Sequence, residues 1–311
     1  MRGVAVLSTS GLTMQFGPHR ALDAVSVDVP HGVTGLVGAN GAGKTTLMSI
    51  ALGLRPPTAG TVTVLGLDPG QQARELRTRV GYVSERNVLP EDMPASDFVK
   101  HLAEVRGMPR HEAKGRASDA LWLVGLGEER FRPLGTMSTG QRQRVKLAQA
   151  IAADPSLVLL DEPTDGLDPV QRDEMLALIR QISEDFSIDV VLSSHLLEEV
   201  ERICDNIVAL DAGRLVAHGR LEDLVGDTAI VTVELVEVDD RPGAAGAVEQ
   251  HLLRAGLEVV SRDMTRLRVG GADPRTSLDA IRDAIASADA RVRRISTDRT
   301  TLEDLFTGVS S

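Results

Sequence analysis

GANGAGKTT, residues 38–46, stands between an apolar run, Gly32–Val37, and a stretch of helical spacing, Thr45–Leu52. The pattern is G-x-x-x-x-G-K-T, set in the order strand, glycine-rich turn, helix. Gly38, Gly41 and Gly43 let such a loop curl until its N–H groups surround a phosphate. Lys44 is then placed to reach the β- and γ-phosphates, and the Thr45 hydroxyl to meet Mg²⁺. Asn40, Ala42 and Thr46 complete the loop and are expected to line the same site. The stretch predicts an α/β domain built around a nucleoside triphosphate site.

Upstream, Val4–Leu7, Leu12–Phe16 and Val25–Val29 are short β-prone runs. Downstream, Val62–Leu65 and Val80–Val83 read as strands and Ala95–Gly127 as a helical stretch, with Phe98, Leu102, Val105, Leu121, Leu123 and Leu126 at amphipathic spacing. Gly140–Ala153 and Val170–Ser183 read as helices, LVLL (157–160) and DVVLSS (189–194) as buried strands, and residues 207–219 as a hairpin. Strands alternating with helices predict a largely parallel sheet. Past about Gly226 the texture changes. Ala229–Val238 alternates as a strand, Gly246–Arg254 is helical, and Leu257–Ser261 with Thr265–Val269 reads as a hairpin. Ser277–Ala286 is helical and Arg291–Ser296 a strand, with DDRPGAAG (239–246) as a loop. That order, βαββαβ, predicts a ferredoxin-like unit. The expected layout is an ATP-binding domain over residues 1–224, with a helical subdomain at about 85–150, and an accessory α+β domain over 227–311.

Composition excludes several classes. The formal net charge is −11, which argues against nucleic acid as the main partner, because phosphate contacts need a basic surface. Aromatic residues make up only 2%, so the core must be aliphatic. Cys204 is the single cysteine; no intrachain disulfide can form, which fits a reducing cytosol. The opening MRGVAVLSTSGLTMQF lacks a long apolar core, so no signal peptide is expected. No apolar run reaches bilayer length, so at a membrane another chain must supply the span.

LVLLDEP (157–163) is the second chemical motif. Asp161 emerges at the end of the buried strand, where α/β sheets bind ligands, and is expected to hold Mg²⁺ through water. Glu162 is placed to polarise an attacking water. In SSH (193–195), His195 follows the next strand on the same edge, within reach of a γ-phosphate. MSTGQ (137–141) runs straight into a helix, and such an N-terminus attracts anions. Phe16 reads equally as a core residue or as an aromatic stacked on a base.

Taken together, GANGAGKTT, VGYVSE, MSTGQ, LVLLDEP, DGLDP and SSH resemble the ATP-binding subunit of an ABC transporter over residues 1 to about 222. The resemblance implies a P-loop ATPase with an antiparallel β subdomain and a helical subdomain. It implies ATP and Mg²⁺ as ligands and a homodimer packed head to tail on a separate integral membrane permease, at the cytoplasmic face. Each ATP would lie between the P-loop of one copy and the MSTGQ turn of the other. On that resemblance Phe16 stacks on adenine, Ser138, Gly140 and Gln141 belong to the turn facing the partner's phosphate, and Asp168 lies at the dimer interface. Glu162 matches the catalytic carboxylate and His195 the switch histidine. The C-terminal unit with its closing TLEDLF (301–306) is similar to drug- and antibiotic-exporter ATPases of the daunorubicin-resistance type.

The sequence departs from that family at two places. Thr139 stands where the signature usually has glycine, and would weaken the turn if that position needs a positive φ. Glu85 stands where a glutamine normally meets Mg²⁺, so a carboxylate is expected in the metal's surroundings beside Thr45 and Asp161. Three other readings compete. A ribosome- or DNA-acting ATPase of this kind usually carries two cassettes or a long coiled-coil insertion; this chain has one cassette and none between Lys44 and Asp161. A non-hydrolysing nucleotide sensor would not need Lys44, Asp161, Glu162 and His195 together. An importer ATPase would share every core motif.

Overall fold

Short alternating and apolar segments build the first part of the chain. In order they are β1 (Leu7–Phe16), β2 (His19–Val29), β3 (Val33–Val37), α1 (Lys44–Ala51), β4 (Ala59–Val64), α2 (Ala73–Arg79), β5 (Val80–Val83), α3 (Ala95–Val105), α4 (Arg110–Leu123), α5 (Thr139–Ile151), β6 (Leu157–Asp161), α6 (Pro169–Phe186), β7 (Asp189–Ser194), α7 (Leu197–Ile203), β8 (Asn206–Asp211), β9 (Arg214–Arg220) and α8 (Leu221–Leu224). The structure, a computed structural model, describes residues 5–85, 88–236, 244–270, 274–300 and 302. It divides into two compact units, Met1–Leu221 and Glu222–Asp304.

A six-stranded sheet of order β5-β6-β7-β3-β8-β9 carries the first unit. All its neighbours are parallel except the β8–β9 hairpin. Every residue of β3 and β6 is buried, as expected of strands covered on both faces. A separate antiparallel sheet, β2-β1-β4, lies over the same core, where Leu12, Leu22 and Val64 pack with Leu47, Met48 and Ile50 of α1. Each such side chain contributes about 1.5–3 kcal/mol when fully buried.

Two local readings are corrected. The runs ending at Leu7 and beginning at Leu12 are one strand, β1, whose pairing register slips between Thr9 and Leu12 around Gly11. A register break in the middle of a strand looks like two short strands in the alternation; Val4 falls outside the described residues. The helical stretch Ala95–Gly127 is two helices, because Gly107 adopts a left-handed φ of 102° and Pro109 cannot continue a helix backbone. α2 and α7 carried too short an apolar period to be read.

The second unit contains β10 (Gly226–Leu235), α9 (Ala244–Arg254), β11 (Glu258–Arg262), β12 (Arg266–Gly270), α10 (Pro274–Ser287) and β13 (Val292–Thr300). Its antiparallel sheet runs β11-β12-β10-β13, the arrangement of a βαββαβ ferredoxin-like unit. Val231, Val233, Leu267 and Val269 alternate inward against Val248 and Leu252 of α9 and Ile281 of α10. Helix α9 begins at Ala244, so the last three residues of DDRPGAAG are helical and the rest lies outside the described residues. Of TLEDLF only Leu302 is described. Among the described residues no helix is long and apolar enough to cross a membrane.

Candidate nucleotide site

The P-loop sits where β3 hands over to α1. Gly43, which precedes the helix, holds φ 107°, and a Cβ there would stand 2.6 Å from the Ala21 carbonyl oxygen. A Cβ on Gly38 would meet the Leu210 carbonyl oxygen at 2.2 Å. Only glycine lets this loop close over Lys44. The Lys44 side chain is buried and its Nζ donates to the Gly38 carbonyl at 2.6 Å. The same Nζ lies 3.3 Å from Glu162 Oε1.

The end of β6 supplies the facing carboxylates. Asp161 Oδ1 accepts from Thr45 Oγ1 at 3.2 Å and from Ser193 Oγ at 2.7 Å. Its other oxygen, Oδ2, is buried without a hydrogen-bond partner among the described residues. A buried, half-satisfied carboxylate beside a threonine hydroxyl is a hard oxygen set that fits Mg²⁺. Glu162 has φ 48°, a left-handed backbone unusual for glutamate that costs on the order of 1–3 kcal/mol. Its N–H donates to Ser193 Oγ at 2.9 Å, which helps hold that turn. Glu162 Oε2 meets His195 Nδ1 at 2.9 Å. Ser193 thus ties the Asp161 carboxylate to the backbone of Glu162, a role not assigned from the sequence. Its one signal was a hydroxyl ending an otherwise apolar strand.

A cavity of about 480 Å³ opens in front, lined by Phe16, His19, Ala21, the loop Asn40–Thr46, Glu85 and Glu162. Its size falls in the range of small-molecule sites. Phe16 is 40% exposed at its rim, under the Arg55 guanidinium at 5.4 Å, so it is no core residue. Glu85 is exposed on the same wall.

Ser138, Gly140, Gln141 and Asp168 do not line this cavity. Ser138 and Gln141 form a capping box on α5. Gln141 N–H donates to Ser138 Oγ at 3.2 Å and Ser138 N–H to Gln141 Oε1 at 3.1 Å. Asp168 caps α6, its Oδ1 accepting from Gln171 N–H at 2.9 Å. Thr139 is the first residue of α5 and is not among the residues with positive φ. The expected strain at Thr139 therefore does not arise, since a β-branched residue accepts helical φ readily.

The inner face of α5 presents Gln143, Lys146 and Gln149 at three-residue intervals. Gln143 Nε2 donates to the Asp165 carbonyl at 3.2 Å and Gln149 Nε2 to the Tyr82 carbonyl at 2.7 Å. Lys146 lies between them, buried, and burial pulls its ammonium down to about 8 against the opposing pull of Asp161, Asp165 and Glu85. Burial first, then Asp161 and Glu85, pushes the Tyr82 hydroxyl up to about 12. A lowered lysine binds fewer protons in the folded than in the unfolded chain, so its burden is full below pH 8 and fades as pH rises toward 10.5. Lys146→Met should therefore stabilise the nucleotide-free protein at pH 7, by on the order of 3 kcal/mol at most, with a smaller gain at pH 9.5. Urea unfolding at the two pH values checks this; a gain that grows with pH would contradict it.

A protein-family model described as ABC transporter matches residues 22–165. The daunorubicin/doxorubicin resistance ATP-binding protein DrrA of Streptomyces peucetius is 31% identical over 304 residues, covering 96% of this chain and 91% of DrrA. The chain belongs to the ABC transporter ATP-binding family. The methionine import ATP-binding protein MetN of Caulobacter vibrioides is 37% identical over 243 residues, covering 75% of this chain and 73% of MetN. The dimeric structure of MJ0796, a bacterial ABC transporter cassette, aligns with a TM-score of 0.61 at 25% identity, covering 70% of this chain and 99% of that one. ABC ATPases bind ATP with Mg²⁺, and this chain is an ATPase subunit whose hydrolysis is coupled to transport.

Proposed function

We propose that the chain powers export through a separate membrane-spanning permease, as a head-to-tail homodimer at the cytoplasmic face. The observation that carries the dimer is the separation of two anion-binding elements: the P-loop cavity excludes Ser138 and Gly140. The capped N-terminus of α5, where Ser138 is exposed, is then available to the γ-phosphate held by a second copy. Phe16, Asn40, Gly41, Ala42, Gly43, Lys44 and Thr46 would bind the nucleotide in one copy, and Ser138, Gly140, Gln141 and Asp168 would close the site from the other. Thr45 and Asp161 would hold Mg²⁺, with Glu85 close by; the metal neutralises charge on the phosphates. Glu162 would orient and polarise the attacking water, with His195 fixing its carboxylate. Hydrolysis then releases the pair. Residues 1–224 form the cassette in this reading, about 85–150 meet the permease, and 227–311 form the accessory domain.

The export reading takes its support from the likeness to DrrA; relatives named as importers also match across both units, so the following experiment decides the direction. A pull-down of tagged Glu162→Gln protein from detergent-solubilised native membranes, with ATP and Mg²⁺, should recover a multispanning protein. Cells whose only copy is Glu162→Gln should be more sensitive to apolar antibiotics. Recovery with ribosomes, or unchanged sensitivity together with a growth requirement for a nutrient, would contradict the export reading.

The carboxylate of Glu85 places negative charge on the wall of the phosphate cavity. Glu85→Gln should therefore raise basal hydrolysis or lower the Mg²⁺ requirement. Steady-state rates across a Mg²⁺ titration check this, and superimposable curves would remove Glu85 from the site.

A further inference from the structure

Glu199 is a charged residue where an apolar one would be expected. It lies on the inner face of α7 with Val200 and Ile203 and is 3% exposed. Burying a carboxylate costs several kcal/mol unless partners surround it, and its partners come from three separate segments. Oε2 accepts from Thr164 Oγ1 at 2.9 Å and from Ser194 Oγ at 2.7 Å. Oε1 lies 3.2 Å from Arg172 Nε, near enough to pair but without hydrogen-bond alignment. Thr164 is two residues beyond Glu162. Ser194 precedes His195, and its hydroxyl also accepts from the Leu196 N–H at 2.9 Å, fixing the turn that carries the imidazole. Arg172 stands in the first turn of α6, with its N–H bonded to the Asp168 carbonyl at 2.9 Å.

We infer that Glu199 is a positioning residue that ties the His195 turn and the segment after Glu162 to the N-terminus of α6, so that the phosphate-facing groups and the Asp168 turn move together. The inference rests on the roles proposed above for Glu162, His195 and Asp168. One buried carboxylate is the shared anchor of all three segments. A displacement of His195 or Glu162 on binding or losing the γ-phosphate would reach α6 through Ser194, Thr164 and Arg172. The Asp168 turn would then report nucleotide state to the second copy.

The test uses the full chain and compares the native protein with Glu199→Gln, Arg172→Gln and the double variant. Glu199→Gln keeps an oxygen for the two hydroxyls and removes the charge that Arg172 faces. Expected are a kcat lower by roughly 10-fold or more, as misplacement of groups remote from the chemistry can cause, ATP affinity within about twofold, and a double variant no slower than the slower single one. Non-additivity is what a shared linkage requires. Equal kcat in the native chain and Glu199→Gln would overturn the inference. So would a kcat loss accompanied by an equal loss of ATP affinity, which would mark a general structural defect. If Glu199→Gln does not fold, Ser194→Ala decides with the same readouts: it removes one donor and leaves the charge pair, and an unchanged kcat would overturn the inference. No hydrolysis by the native chain would overturn the ATPase reading itself, and this inference with it.

Discussion

Glu162→Gln is expected to bind ATP normally and to hydrolyse it at least about 100-fold more slowly than the native chain. The substitution preserves shape in a buried turn whose backbone is already committed to φ 48°. What it removes is the charge that lies 3.3 Å from Lys44 Nζ and 2.9 Å from His195 Nδ1. A neutral amide can accept a hydrogen bond from water but cannot draw off its proton. Binding depends on the P-loop amides and Lys44, which the change leaves in place. Single-turnover kinetics beside equilibrium ATP binding separate the two effects. Full activity in the variant would remove Glu162 from the catalytic role.

Lys44→Ala should lose binding and turnover together. The structure places the ammonium between the Gly38 carbonyl and the Glu162 carboxylate. Truncation removes a charge-assisted contact to the phosphates and strands Glu162 Oε1 in a buried position. The expected loss is 3 kcal/mol or more, about 100-fold in affinity. Calorimetric titration with ATP and Mg²⁺ measures it, and an unchanged affinity would contradict the placement of Lys44.

The core of the site was legible because its chemistry is local in sequence. Gly38, Gly43, Lys44 and Thr45 sit within one loop, and Asp161 and Glu162 sit next to one another at a strand end. Their residue types state the backbone and charge requirements directly. The apolar runs of β3, β6 and β7 were equally plain, since a strand buried on both faces has no polar alternation to confuse it. What could not be read was whatever depends on distant segments meeting. Ser193 acquires its role from the neighbouring strand that carries Asp161 and Glu162. Glu199 and Arg172 look like ordinary helix-surface charges until α6 and α7 pack. Lys146 reads as an exposed lysine in a basic segment, and it is buried where α5 packs against β5. Thr139 illustrates the reverse: a residue type looked unsuitable for its turn, and the helix begins at Thr139 itself with no positive φ there.

In the proposed dimer each ATP is shared by two copies of the chain. Light scattering on Glu162→Gln separated by gel filtration, with and without ATP and Mg²⁺, tests it most directly. A second variant adding Ser138→Asp keeps a good helix cap but sets a negative charge where the partner's γ-phosphate would lie. The expected result is a mass that doubles only with nucleotide in Glu162→Gln and stays at one chain in the Ser138→Asp form. A mass indifferent to ATP, or one that doubles equally in both variants, would contradict the shared site.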